Sequence, residues 1–233
     1  MLVIVPSRGR PHNIADLFVS WYETEASATL VVAVDDDDPT LPEYRALFDV
    51  ARDDHYQLVV GPHLRLAGTL NAVAMSRIMR EGVLDTDIIG FMGDDHRPRS
   101  PHWDRDVKAA FTGVTHAIVY GNDLLQGYNL PTAVFMTAGM IKTLGYMVPD
   151  GLVHMYLDNV WREWGDYMGR RVYLPNTIIE HMHPIAGKAD WDARYEEVNA
   201  GSQYVADELA FRTYMNSGRM TADGDKLREL WHG

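Results

Sequence analysis

The chain has 233 residues, 46% of them hydrophobic, which is enough apolar material for a core of domain size. Its formal net charge of -12 argues against tight nonspecific binding to nucleic acid, because that affinity comes from lysine and arginine on phosphates. No run approaches the roughly 18 apolar residues of a membrane span, and the absence of cysteine leaves only oxygen and imidazole to hold a metal.

Leu2 to Val5 reads as a short buried strand, and Pro6-Ser7-Arg8-Gly9-Arg10-Pro11 as the loop that follows it. Asn13 offers a cap for a helix from Ile14 to Thr24, with Leu17, Phe18 and Trp21 at helical spacing. Ala28 to Val34 is a second apolar strand, ending in the acids Asp35 to Asp38. Tyr44, Leu47, Phe48 and Ala51 support another helix, Tyr56 to Val60 a third strand, and Leu70 to Met79 a helix introduced by Gly68-Thr69. Ile88 to Met92 is the fourth strand.

Strands that are continuously apolar and alternate with helices indicate an α/β architecture, with a mostly parallel sheet covered on both faces. Farther along come an amphipathic segment from Trp103 to Phe111, a strand from His116 to Tyr120, and an apolar stretch from Thr132 to Met147. Met155 to Trp164 reads as a helix, and Arg171 to Leu174 and Thr177 to His183 as strands. This half looks mixed, so the sheet is not expected to be wholly parallel. The polar remainder from about Asp190 to Gly233 is expected to be helical. Two parts follow: a nucleotide-binding body over 1–185 and a helical extension over 186–233 packed on it.

The apolar run Ile88-Ile89-Gly90-Phe91-Met92 stops abruptly at Gly93-Asp94-Asp95-His96. Adjacent carboxylates at the tip of a buried strand are costly to desolvate as packing, but ligands of open α/β sheets collect at this end of the strands. Mg2+ and Mn2+ take oxygen ligands and bridge carboxylates to phosphates. One acid on the metal and the other on a ribose or sugar hydroxyl would use both; the competing reading is a polar turn capping the next helix. A carboxylate among Asp35 to Asp38 suits a base or ribose, against a solvated loop with a single cap. Arg8 and Arg10 suit a diphosphate through forked hydrogen bonds, against a simple turn. With Arg97, Arg99 and Arg105 close to these motifs, the acidic average is compatible with a local positive pocket.

His181 and His183 stand two apart on an expected strand, so that both rings face one side, and either suits a metal site begun by Asp95. Asp158 lies among aromatic residues, where burial raises a carboxyl pKa and makes it a candidate general base. Spacing alone equally fits an ion pair from Asp158 to Arg162.

Taken in order, these residues resemble the family 2 type of glycosyltransferase with the GT-A fold, a Rossmann-like nucleotide-binding sheet flanked by helices. Pro6-Ser7-Arg8-Gly9-Arg10 is similar to that family's nucleotide-binding loop, and Asp35 to Asp38, with Asp35 and Asp37 as candidates, to its acidic end of the second strand. Leu66 to Ala72 resembles its glycine-rich segment through Gly68 and Asn71, and Gly93-Asp94-Asp95 its Asp-x-Asp metal motif. Thr132 to Tyr146 resembles the acceptor-side segment, and Leu157-Asp158-Asn159 stands where the family has Glu-Asp. His181 or His183 falls where many GT-A enzymes supply a metal-binding histidine. Gly93 and Leu157 depart from the family pattern, each standing where an acid is usual.

The resemblance implies transfer of a sugar, with inversion, from a nucleoside-diphosphate donor (a UDP-sugar favoured) to an acceptor hydroxyl. It implies Mn2+ or Mg2+ on Asp95 and a histidine, Asp158 as base, and Pro6, Ser7, Arg8, Arg10, Asp35, Asp37, Gly68, Asn71 and Asp94 around the donor. The short chain also resembles small phage-encoded glycosyltransferases that modify virion proteins or DNA bases, which makes a protein or a modified nucleobase a candidate acceptor beside a glycan or a small metabolite. The N-terminus has no secretory leader pattern, so a soluble protein of the cytoplasm, or the host cytoplasm, is expected. A nucleotidyltransferase acting on a sugar phosphate would share the sheet and the metal, but its glycine-rich loop carries an early lysine, and here the first lysine is Lys108. A noncatalytic sugar-nucleotide binder is the remaining alternative.

Overall fold

The computed structural model describes residues 1–80, 82–188 and 201–230. Its first half alternates β1 (Leu2–Ser7), α1 (Pro11–Glu23), β2 (Thr29–Asp35), α2 (Leu41–Ala51), β3 (Tyr56–Gly61), α3 (Arg65–Ile78) and β4 (Ile88–Phe91). The second half adds β5 (His96–Pro98), α4 (Trp103–Ala110), β6 (Ile118–Asn122), β7 (Val134–Thr137), α5 (Ala138–Leu144), α6 (Leu157–Met168) and β8 (Arg171–His181). Two C-terminal helices follow, here α7 (Gly201–Asn216) and α8 (Arg219–Glu229). No helix among the described residues is long and apolar enough to cross a membrane.

Among the described residues the strands form an 8-stranded sheet in the order β3-β2-β1-β4-β7-β6-β8-β5. β1 lies parallel to both β2 and β4, and β2 parallel to β3. Beyond β4 the sheet becomes mixed, with β7 antiparallel to β4 and β6, and β8 parallel to β6 and antiparallel to β5. The result is the α/β fold with a mixed sheet that the apolar runs foretold.

Strand alternation splits the core into two layers. Val3, Val5, Leu30 and Val32 face α1, α2 and α4, packing with Leu17, Trp21, Tyr44 and Trp103. Their neighbours Ile4, Val31 and Ala33 point the other way, toward Leu70, Trp161 and Trp164, and Tyr214 and Leu227 of the C-terminal helices belong to that same cluster. Gly90 sits opposite Phe135 in the β4–β7 ladder. A Cβ there would come within 2.4 Å of the Phe135 ring, so the crossing into the antiparallel half requires glycine.

Several expected boundaries shift. Asn13 does not cap α1: the helix opens at Pro11, which needs no N–H partner at a first helical position, with Arg10 as the capping residue. α3 starts at Arg65, so Gly68-Thr69 lies inside the helix rather than ahead of it. The stretch from Thr132 to Met147 divides into β7 and α5. The two strands expected at 171–183 are one strand with a register irregularity opposite Gly121/Asn122. It ends at His181, and His183 lies past it as the cap of a short 3-10 turn, so the argument that both rings share a strand face does not hold. β5, only three residues long, was not anticipated. Of the expected C-terminal helical stretch, 189–200 and 231–233 lie outside the described residues.

Candidate active site

A cavity of about 290 Å³ opens beyond the C-terminal ends of β1 and β4. These two strands carry the switch in strand order, the place where α/β sheets bind ligands. Its wall includes Ser7, Arg8 and Arg10 from the β1 end, Asp35 from the β2 end, and Asp94 and Asp95 from the β4 end. Asp158 at the start of α6, His181 at the end of β8, and His183 complete the opposite side.

The loop after β1 is built by a hydrogen-bond relay. The Arg10 backbone N–H donates to the Tyr44 hydroxyl at 2.9 Å. That hydroxyl contacts Ser7 Oγ at 2.8 Å, and Ser7 Oγ donates to Asp94 Oδ2 at 2.7 Å. The Arg10 guanidinium reaches Asp94 Oδ1 at 3.4 Å. Asp94 is therefore engaged with the β1 loop; burial and the neighbouring charge of Asp95 push its pKa up.

The acids after β2 divide their work. Arg8 bridges Asp35 (2.8 Å) and the exposed Asp37 (2.5 Å) at the cavity edge. Asp38 is buried; it accepts the Gly9 N–H at 2.8 Å and caps Thr40 through its backbone and hydroxyl at 2.8 Å. The solvated-loop reading thus holds for part of this run, and the acid of the run that lines the cavity is Asp35.

Asp95 occupies the centre of a compact donor set. Its Oδ1 is 3.3 Å from His96 Nδ1 and its Oδ2 is 3.3 Å from His181 Nε2. The two imidazoles stack at 4.2 Å between centroids. One donor atom from each of the three residues lies within 4.8 Å of the others. Thr132 donates its hydroxyl proton to Asp123 at 2.8 Å, leaving Oγ1 to accept from His96 Nε2 at 3.4 Å. Nδ1 of His96 is then the unprotonated nitrogen, and it accepts the Gly93 N–H at 3.1 Å. Nδ1 of His181 is buried and has no hydrogen-bond partner among the described residues.

Gly93 explains its own departure from the usual acid. A Cβ at this position would stand 2.5 Å from Asp95 Oδ1 and 3.0 Å from His96 Nδ1, filling the space the donor set uses. The oxygen and nitrogen donor atoms of Asp95, His96 and His181 lie close enough together to hold a metal ion. Burial works against the charge on Asp95, but the hydrogen bond from His181 and the charge of that imidazole outweigh it and hold the carboxyl well below the usual range. Burial likewise opposes protonation of His181, yet Asp95 wins and raises it, whereas burial and the His181 charge lower His96.

Asp158 sits in the first turn of α6, half-buried, accepting its neighbour Asn159's N–H at 2.9 Å. Burial pushes its pKa up to about 6. The ion pair suggested by spacing is not formed, since the Arg162 guanidinium turns to Glu163 at 2.8 Å.

Other expected positions fall elsewhere. Gly68 and Asn71 are not in the cavity wall among the described residues. The Asn71 side chain accepts the N–H groups of Met147 and Val148, both at 2.9 Å, and donates to the Val148 carbonyl at 2.8 Å, pinning the segment that leads toward α6. His183 borders the cavity, packed edge-on to His181 at 5.1 Å, outside the compact donor set. Arg97 braces the site from behind, with NH1 donating to the carbonyls of Asp94 and His96, both at 2.8 Å, and Arg99 pairs with Glu180. Sequence reasoning missed His96 as a donor and Arg65, His154 and Tyr156 as wall residues. Adjacency to Asp95 was the signal for His96. For Arg65 there was none, because its left-handed φ of 62° at the start of α3 is set by tertiary structure.

No family model and no curated protein matches the sequence. Solved structures do match in shape. A mannosyltransferase from Pyrobaculum calidifontis, in complex with GDP-Man and Mn2+, superposes with a TM-score of 0.60 at 14% identity over 95% of this chain and 77% of its own. TarS from S. aureus matches with a TM-score of 0.55 at 15% identity over 94% and 72%, and its complex with UDP-GlcNAc matches equally, at 0.55 and 15% over 94% and 73%. The chain has the GT-A type of nucleotide-sugar transferase fold.

Proposed function

We propose that this protein is a metal-dependent glycosyltransferase that moves a sugar from a nucleoside-diphosphate donor, a UDP-sugar by preference, to an acceptor hydroxyl with inversion. The observation that carries the reading is the meeting, in one cavity, of an Asp95–His181–His96 donor set, with His96 buried and the other two half-buried, and the Asp158 carboxyl raised to about 6. A metal-bound diphosphate and an acceptor hydroxyl need these two kinds of group. That the mannosyltransferase was solved with GDP-Man and Mn2+, and TarS with UDP-GlcNAc, supports the donor class.

In this proposal Asp95 and His181, with His96 beside them, hold Mn2+ or Mg2+, and His183 stands behind His181. The metal would neutralise the charge that develops on the departing diphosphate. Arg8 and Arg10 add positive charge at the same end of the cavity, while Asp94 holds Arg10 and Ser7 in place. Asp35, with Asp37 at the rim, takes the base or ribose, and Pro6 and Ser7 shape the floor. Gly68 and Asn71 act as supports of the wall. Asp158, ionised above pH 6, accepts the proton of the acceptor hydroxyl as that oxygen attacks the anomeric carbon and the carbon–diphosphate bond breaks. The body over 1–185 supplies all these groups, and the C-terminal helices brace it.

The test is release of nucleoside diphosphate by the purified protein from UDP-, GDP-, dTDP- and CDP-sugars, with nucleoside triphosphates alongside, in Mn2+, Mg2+ or EDTA. Release from one sugar nucleotide, abolished by EDTA and by Asp95→Ala, is expected. Pyrophosphate from a triphosphate would make the protein a nucleotidyltransferase, and binding without turnover a noncatalytic binder.

A further inference from the structure

α7 carries a carboxylate with no solvent to serve. Asp207 is 1% exposed. Its Oδ1 accepts the N–H of Val153 at 2.9 Å, and its Oδ2 accepts those of His154 at 3.0 Å and Met155 at 2.8 Å. Three consecutive amides of a segment without helix or strand are thus satisfied by one side chain from the far end of the sequence, where otherwise each would need water or backbone.

The segment so held is part of the cavity wall. His154, Met155, Tyr156 and Leu157 line the cavity, and Asp158 is the next residue in the chain. Tyr156 has a left-handed φ of 67° as the capping residue of α6, a conformation that costs a bulky residue energy unless its surroundings impose it. Phe211 of α7 stacks on the Tyr156 ring at 5.3 Å, and Tyr204 packs at 5.6 Å. On the other side the Val153 carbonyl accepts the Ala67 N–H of α3 at 3.0 Å. Upstream, Arg219 of α8 pairs with Asp150.

We infer that Asp207 is a positioning residue: with the aromatic stack on Tyr156, it fixes the 153–156 segment and through it the place of Asp158 in the cavity. The inference rests on the proposed role of Asp158 but concerns a helix that contributes nothing to the Asp95 donor set. A carboxylate suits the task because it only accepts, and three N–H groups converge on it. An asparagine offers one accepting oxygen and turns an NH2 toward donors.

The experiment uses the full chain with Asp207→Asn and, as a milder variant, Phe211→Leu. UDP-GlcNAc and GDP-Man with Mn2+ are the donors, and hydrogen exchange is read amide by amide. Displacement of a reacting group by about 1 Å costs on the order of 100-fold in rate, so kcat for donor hydrolysis is expected to fall about 10- to 100-fold while the donor KM stays within about twofold. The amides of 153–155 are expected to lose protection while those of β1 and β2 keep theirs. An unchanged kcat, or a parallel fall of kcat, donor affinity and protection throughout the sheet, overturns the inference in favour of a merely structural role. If the wild type hydrolyses neither donor, the transferase reading fails for these donors. The exchange data still decide the clamp, since unchanged protection at 153–155 refutes it and selective loss supports it.

Discussion

Asp95 Oδ2 lies 3.3 Å from His181 Nε2, which brings the tip of β4 against the end of β8 although the two strands do not pair in the sheet. The link between them is β5, which follows Asp95 directly and pairs His96 with His181 in antiparallel register. A three-residue strand therefore places both imidazoles on one carboxylate.

Removal of that carboxylate should remove metal binding. Asp95→Ala and His181→Ala are each expected to lower metal-dependent turnover by about 10²-fold or more, the scale of losing a charge-stabilising group in a transition state. Mn2+ titration followed by electron paramagnetic resonance checks that the loss lies in the metal, and unchanged Mn2+ affinity in both variants would count against the assignment.

Glycine at position 93 should prove necessary for the same reason. Gly93→Ala puts a Cβ 2.5 Å from Asp95 Oδ1, so the carboxylate must move. Mn2+ affinity is expected to fall about 10- to 100-fold, the cost typical of disturbing how a metal ligand is oriented, with little change in Tm. Calorimetric titration beside a thermal melt separates the two.

With Asp158 as the proposed base, the pH profile reports its ionisation. A base must be ionised to take a proton, and burial has moved this group up to about 6. Turnover is expected to be low in acid and to rise through about pH 6, and Asp158→Asn is expected to lower it about 10²- to 10⁴-fold and remove the ascending limb. An ascending limb that persists in Asp158→Asn would assign the base elsewhere.

Gly90→Ala tests the fold rather than the chemistry. The added methyl meets the Phe135 ring at 2.4 Å across β4 and β7. Overpacking of this kind costs about 1–3 kcal/mol, to be read as a lowered urea midpoint with activity per folded molecule retained.

The apolar runs at Val3 to Val5, Leu30 to Val34 and Ile88 to Phe91 made the parallel half of the sheet legible, because a strand buried on both faces needs no polar alternation. That Asp95, Asp158 and His181 line one cavity was legible for a related reason, since each interrupts or follows an apolar run in the sequence. His183 was misjudged on strand geometry because β8 stops two residues earlier. Asp207 was not legible at all. Its partners are backbone amides of 153–155, and nothing in the residue types at those positions advertises a bond that depends only on where the chain passes.

The most direct measurement is a crystal of the protein grown with Mn2+ and UDP, with anomalous scattering recorded at the manganese edge. The described residues contain two groups of donors spaced for a cation, Asp95–His96–His181 and Asp35–Asp37–His63, so the position of the peak decides between them. A manganese peak coordinated by Asp95 and His181, with the diphosphate against it and the base toward Asp35, is the expected result. Manganese at the Asp35 group, or nucleotide bound with no metal near Asp95, would contradict the account.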